Sequence, residues 1–483
     1  MRKVIFVVLG LFFLIAVLLG AGTFWLGLEA KQQYNNILQQ ASTFQNVYVS
    51  NESYSRGFLR SQARTGVEIR TPGACKPGEE PLRFTLVHDI RHGPLPLWES
   101  LIGEKPRKPA LAIIETQIEL SPETQSRLKK AFGEISETPT IINHTTFFLG
   151  GNGESQLVIP AFQQTIGKVD KVTVDWKGLT SNVAFDADFK TFTGSLSASG
   201  LETFGKDGKL GMEGIESAFN VHEVPSGLFL GDVSLDVSLV EFSGNGNGQR
   251  FSINDLQMKT SSQASNDTIN YSMAMRIEQT MADDTAYGPG GYELQLRKLD
   301  AASLAKLQRV AQEVQTQFPQ QPADQITQMM IAKYAQILPD LLKKSPEIEI
   351  TQLSLNTNDG AFTGKAKIVF DGTNAATLNN PLLLLNAVTA HAEFTIADRL
   401  LQRILESISK KEIIAANNQG KGAVLSEEEI SALAAVKTAK RLETLVEKNS
   451  LVHEHGNYKA SADYRQGQVI LNGRPVTLQE LVL

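Results

Sequence analysis

Two histidine clusters and one cysteine hold most of the metal-ligating and nucleophilic potential of this sequence. His88 and His92 form an H-x-x-x-H pair. Metal binding at that spacing needs a helix, which stacks residues i and i+4 on one face. Here Phe84-Thr85-Leu86-Val87 reads as a strand, Gly93-Pro94 closes it, and no Glu follows His88. A structural role is therefore expected. In His453-Glu454-His455 the two histidines would share a face of a strand. An open zinc site needs three protein ligands, and no third is in view, so a solvated loop between helix and strand is expected. Cys75 sits in Pro72-Gly73-Ala74-Cys75-Lys76-Pro77, where Lys76 lowers its pKa a little. As the sole cysteine it excludes an intramolecular disulfide framework and a multi-thiolate cage. Gly244 to Gly248 lies between alternating segments, which argues for a hairpin loop rather than a phosphate cradle. There is no G-x-S-x-G, P-loop or dinucleotide fingerprint. No catalytic residue, metal ligand or cofactor is assigned, and a non-enzymatic protein is expected, with a hydrolase of scattered site as the rival.

The 483 residues carry 46 Lys+Arg against 52 Asp+Glu, a net charge of −6, so no nucleic-acid footprint is expected. With 42% hydrophobic and 20% charged residues the mix is globular, not that of a disordered or many-helix membrane protein. The exception is the start. Arg2 and Lys3 precede an uncharged run from Val4 to Leu28, 25 residues long. As a helix it would reach roughly 37 Å, enough for a bilayer core of about 30 Å. The basic flank predicts a cytoplasmic N-terminus with the rest exported. Cleavage as a signal peptide at Gly20-Ala21-Gly22 is the alternative, but the run is longer than a signal core and resumes with Phe24-Trp25-Leu26.

The elements that would position any site are mostly strands. Val172, Val174 and Trp176 alternate with polar neighbours, as do Val183, Phe185 and Phe189, and Val233, Leu235, Val237 and Leu239. Period-two alternation predicts antiparallel strands with one wet face. Asn152-Gly153, Asp207-Gly208 and Asn472-Gly473 read as tight turns. Tyr287-Gly288-Pro289-Gly290-Gly291 marks a change of regime. Two helical stripes follow, Leu304-Leu307-Ala311-Val314-Phe318 after an Asp300 cap, and Ile326-Met330-Tyr334-Ile337-Leu341, the latter kinked or ended by Pro339. Later helices are expected behind Asp398 and behind a Ser426/Glu429 capping box. The resulting fold class is α+β and β-rich: an N-terminal transmembrane helix, then a large elongated twisted antiparallel sheet with helical insertions. The segments are 1–28 anchor, 29–46 juxtamembrane helix, 47–298 antiparallel β region, 299–345 helical insertion and 346–483 mixed β/helix. Val174, Phe185, Leu235 and Val237 are the candidate residues of an apolar sheet face.

Three segments resemble one family. Tyr54-Ser55-Arg56-Gly57-Phe58-Leu59, His92-Gly93-Pro94-Leu95-Pro96-Leu97 and the closing Gly467-Gln468-Val469-Ile470-Leu471-Asn472-Gly473 hairpin are similar to motifs of the YdgA/YihF-like envelope proteins of Gram-negative bacteria, a domain-of-unknown-function family. The resemblance implies an inner-membrane, single-pass protein with a periplasmic bulk, and it implies no reaction. Tyr54, Arg56, Gly57, His92, Gly93, Pro94, Asn472 and Gly473 are its motif residues, with no role attached. A fold-level analogy extends to AsmA-type envelope proteins with lipid-carrying β-grooves. The expected function is lipid binding or shuttling in an apolar sheet groove. The alternative is an interaction or assembly factor for envelope proteins, with self-association through strand edges or helices.

Overall fold

The computed structural model describes residues 47–55, 60–69, 82–92, 110–132, 141–148, 150–167, 171–245, 249–283, 285–317, 323–373, 383–419 and 425–477. The expected anchor and juxtamembrane helix, Arg56, Gly57, Cys75, Gly93 and Pro94 lie outside these residues. So does the side chain of His92. Among the described residues no helix is long and apolar enough to cross a membrane. The described chain is β-rich and antiparallel, with a few helices, as its alternation predicts. It divides into two units, one of residues up to Arg250 plus Ala302–Leu338, the other of Phe251–Ala301 plus Pro339–Leu483.

The first unit is a meander. Strands β1 (Val47–Ser55), β2 (Arg60–Ile69), β3 (Leu82–His92), β4 (Ala110–Leu120), β5 (Ile142–Phe148) and β6 (Gly153–Ile159) pair in order. Helix α1 (Pro122–Phe132) follows β4. The chain then leaves for a hairpin of β7 (Phe162–Ile166) and β8 (Val172–Trp176). It returns as β9 (Leu179–Phe185), which pairs with β6. Beyond β9 come β10 (Thr191–Gly205), β11 (Gly208–Glu223) and β12 (Phe229–Gly244), with β8 set against the end of β10. Val67, Phe84 and Leu86 of β2 and β3 share a core with Leu157, Trp176, Leu179 and Ala198. Strands that far apart meet only if the sheet curls onto its own apolar face. A second cluster holds Ala63, Ile90, Ile114, Phe147 and Phe185. Helices α2 (Ala301–Gln317) and α3 (Ala323–Leu342) are linked by a Glu313–Lys333 ion pair at 3.3 Å, and Val314 of the first expected stripe is fully buried.

The second unit orders β13 (Arg250–Ser265), β14 (Thr268–Ala282), β15 (Thr285–Asp300), β16 (Glu347–Thr357), β17 (Gly360–Phe370), β18 (Val388–Ala397) and β20 (Asn457–Arg465), all antiparallel. On the far edge of β20 lie β19 (Val452–Glu454) and β21 (Gln468–Leu471), the latter paired with β22 (Arg474–Val476). Between β18 and β19 a helical hairpin is inserted, α4 (Asp398–Gln419) and α5 (Glu427–Glu447). Ser426 and Glu429 form the expected reciprocal capping box.

Four expectations need correction. Gly288 to Gly291 does not break the sheet; it lies inside β15, where a register shift between Tyr287 and Gly290 absorbs it. Of the two outcomes expected at Pro339, a kink or an end, the end is not found: α3 runs on to Leu342. Phe189 is not a strand residue but a turn residue at φ 56°, stacked on Phe185 at 4.8 Å. His453 is in strand β19 rather than in a loop, held by Asp398 at 2.8 Å, while His455 takes the following turn.

Candidate functional site

In the second unit, cross-strand partners share a face, and that face is apolar from β13 to β21. Across β14 and β15 it presents Met273 opposite Leu294 and Met275 opposite Tyr292. Across β15 and β16 it presents Leu296 opposite Ile348 and Tyr292 opposite Leu353. A bulge between Ile350 and Leu353 inserts one extra residue, which keeps both on this side. Ile368, Ala366 and Phe362 continue it on β17, Ala390, Ala392, Phe394 and Ile396 on β18, and Tyr458, Ala460, Ala462 and Tyr464 on β20. Ile348 is 45% exposed, and Leu353, Leu355 and Ile368 are exposed as well. Soluble sheets ordinarily bury such a face, because each Å² of apolar surface left wet forgoes about 25 cal/mol. Contiguous exposed apolar surface of this kind makes the face a candidate binding surface.

The opposite face of the same strands is charged. Glu347 accepts from Lys298 at 2.6 Å and meets Lys367 at 3.3 Å and Arg297 at 3.4 Å; Arg297 also binds Glu349. The hydrogen bond from Lys298, joined by Lys367, pulls the Glu347 carboxyl down to about 2. His391 and Asp463 pair at 3.0 Å on this side. A shallow cavity of about 800 Å³ lies here, lined by Thr363, Lys365, Glu393, Lys459 and Ser461 among others. The two faces thus differ in chemistry as sharply as alternation allows.

The residues singled out from the sequence are distributed elsewhere. Phe185 and Val237 are each 4% exposed, Phe185 within the second core cluster of the first unit. Val174 and Leu235 are half-buried, Val174 against the first cluster. Tyr54 packs beside the second cluster. Asn472 is structural. At φ 48° its side chain accepts from the Ser461 N–H at 2.8 Å and donates to the Asn449 carbonyl at 2.8 Å. Asn449 donates back to the Asn472 carbonyl at 3.3 Å. This exchange ties the closing hairpin to the end of α5. Asn449 escaped the sequence reading, although an Asn just past a helix is a left-handed cap signal.

His88 is 1% exposed inside the first unit. Its Nε2 is 3.1 Å from the Thr65 hydroxyl and its Nδ1 2.9 Å from that of Thr116. Burial pushes its pKa down to about 4, so the ring is neutral at pH 7. Asn143, Thr145 and Ser155 extend this polar layer through mutual bonds of 2.8 to 3.0 Å. Outside, a trough of about 910 Å³ exposes His144, Glu154, Gln156, Asn182 and Ser195, side chains able to bind polar ligands.

A model of a bacterial protein family of unknown function, DUF945, matches residues 1–479. The chain belongs to the DUF945 family. No curated protein matches it, and no solved structure does. The family match covers the apolar face and the closing hairpin alike, and the description of DUF945 assigns neither a reaction nor a ligand.

Proposed function

We propose that this chain is a single-pass envelope protein that holds or passes lipid acyl chains on the apolar face of its second unit, without catalysis. Its N-terminus is cytoplasmic, its bulk periplasmic, and the envelope is that of a Gram-negative bacterium. The observation that carries the reading is the half-exposed apolar face running from Met273 through Ile348, Leu353 and Ile368 to Phe394. The choice of occupant rests on the 25-residue uncharged run at the start of the sequence, which as an anchor would tether the chain to a bilayer, a source of acyl chains. Acyl chains match the face because they need no hydrogen bonds from it. Methionines and tyrosines adapt to ligands of varied shape.

The test is native mass spectrometry of the full chain, extracted gently, alongside a periplasm-active reporter fused after Leu483. The reading requires phospholipid retained at defined stoichiometry and an active reporter. Lipid-free protein under conditions that keep other lipid-binding proteins loaded would refute it. The second reading, a protein-interaction factor, is favoured by one feature: α5 leaves Val436 70% exposed beside exposed Leu433. A discrete protein complex with no bound lipid would favour it.

A further inference from the structure

We propose that Met258, Met273 and Met275 form a site for the soft monovalent cation Cu(I). The sequence has eight methionines in 483 residues, so three on one patch of one sheet face is a marked concentration. Met258 on β13 is the direct partner of Met275 on β14, and Met273 is two residues along β14, on the same face. Directly opposed side chains have Cβ atoms about 5 Å apart, and diagonal ones about 7 Å. Three thioethers on flexible stems of that length can meet at one ion without moving the backbone. Tyr292 stands opposite Met275 on β15, and its hydroxyl donates to Met273 Sδ at 3.5 Å. That contact orients the Met273 sulfur within the patch.

The ligand chemistry sets the ion. Thioether sulfur is soft and uncharged, which suits Cu(I); zinc draws on thiolate, imidazole and carboxylate, and magnesium and calcium on oxygen, none of which the three thioethers supply. The three side chains are half-buried, and their apolar neighbours Leu256, Ile277 and Leu294 supply no countercharge. An ion held by neutral ligands keeps its full charge, so the site suits an exchanging ion better than a permanent one. The inference stands apart from acyl-chain binding: it concerns sulfur ligation on β13 and β14 and holds whether or not lipid occupies the rest of the face.

The experiment uses the full chain carrying Cys75→Ser, which removes the competing thiol, labelled with ¹³C at the methionine methyl groups. Ag(I) serves as the redox-inert probe. Three of the methyl resonances, assigned by Met→Leu substitution to 258, 273 and 275, should shift and saturate at one ion per chain. Zn(II) should shift none of them. Met275→Leu conserves volume and should lower Ag(I) affinity at least tenfold with an unchanged unfolding transition. Shifts spread over all the methionines, no shift, or saturation indifferent to Met275→Leu would each overturn the proposal.

Discussion

Lowering the pH from 7 to 5 should destabilise the first unit through one residue, His88. In the folded chain its pKa is about 4, against 6.5 for an unburied histidine, and the cause is burial. The unfolded chain therefore takes up the proton first. Stability is intact above pH 6.5, falls as the pH drops towards 4, and the loss is complete below that. Between pH 7 and 5 the two values correspond to a loss of about 2 kcal/mol. Depressed carboxylates such as Glu347 contribute stability that is lost only further down, as the pH falls below 4.5. The window from 7 to 5 therefore isolates the imidazole from them. The assay is urea unfolding of the full chain, followed by fluorescence of Trp176, which is buried in the same unit. Trp25 and Trp98 are replaced by Phe in this background. His88→Gln should start less stable at pH 7, because it disturbs the bonds to Thr65 and Thr116, but should lose most of the slope between pH 7 and 5. An equal slope in both proteins would refute the assignment of a buried neutral histidine.

Other outcomes follow from the same geometry. Val237→Asp places a carboxylate in a site 4% exposed and should cost several kcal/mol, roughly 3 or more, whereas Ser238→Asp on the exposed side should be near neutral in thermal unfolding. Asn472→Ala should cost about 1–2 kcal/mol by losing the bonds to Ser461 and Asn449. A double-mutant cycle with Asn449→Ala should be non-additive, because the two amides bond each other's carbonyls. Glu347→Gln should weaken the second unit more at low than at high salt, measured by urea midpoints, since it leaves Lys298 and Lys367 without their shared carboxylate.

Strand existence was legible because alternation survives in single segments: Val172 to Trp176 and Val233 to Leu239 are strands, with Trp176 and Val237 buried, although Val233 is 37% exposed. Capping chemistry at Ser426 and turn chemistry at Asn472-Gly473 were legible for the same local reason. What alternation cannot report is whether an apolar face is covered. Phe185 and Leu353 have equivalent patterns in sequence, yet Phe185 is sealed where the first sheet curls onto itself, while Leu353 stays exposed. Curling is decided by pairings between strands distant in the chain, such as β6 with β9, which no local window contains. Gly288 to Gly291 misled for a related reason: a Gly/Pro cluster ordinarily ends a strand, but a bulge accommodates it where neighbouring strands hold the ladder. The polar layer around His88 had no signal beyond Thr and Ser at inward positions of otherwise apolar strands.

The most direct test of the central claim is site-specific photo-crosslinking in cells. A photoreactive residue is placed at Leu353 or Ile368 on the apolar face, or at Thr363 or Glu349 on the charged one. Acyl-chain adducts are expected from the first pair and none from the second, identified by mass spectrometry of the purified chain. Adducts equal on both faces, or absent from Leu353 and Ile368 while a protein is captured there, would contradict it.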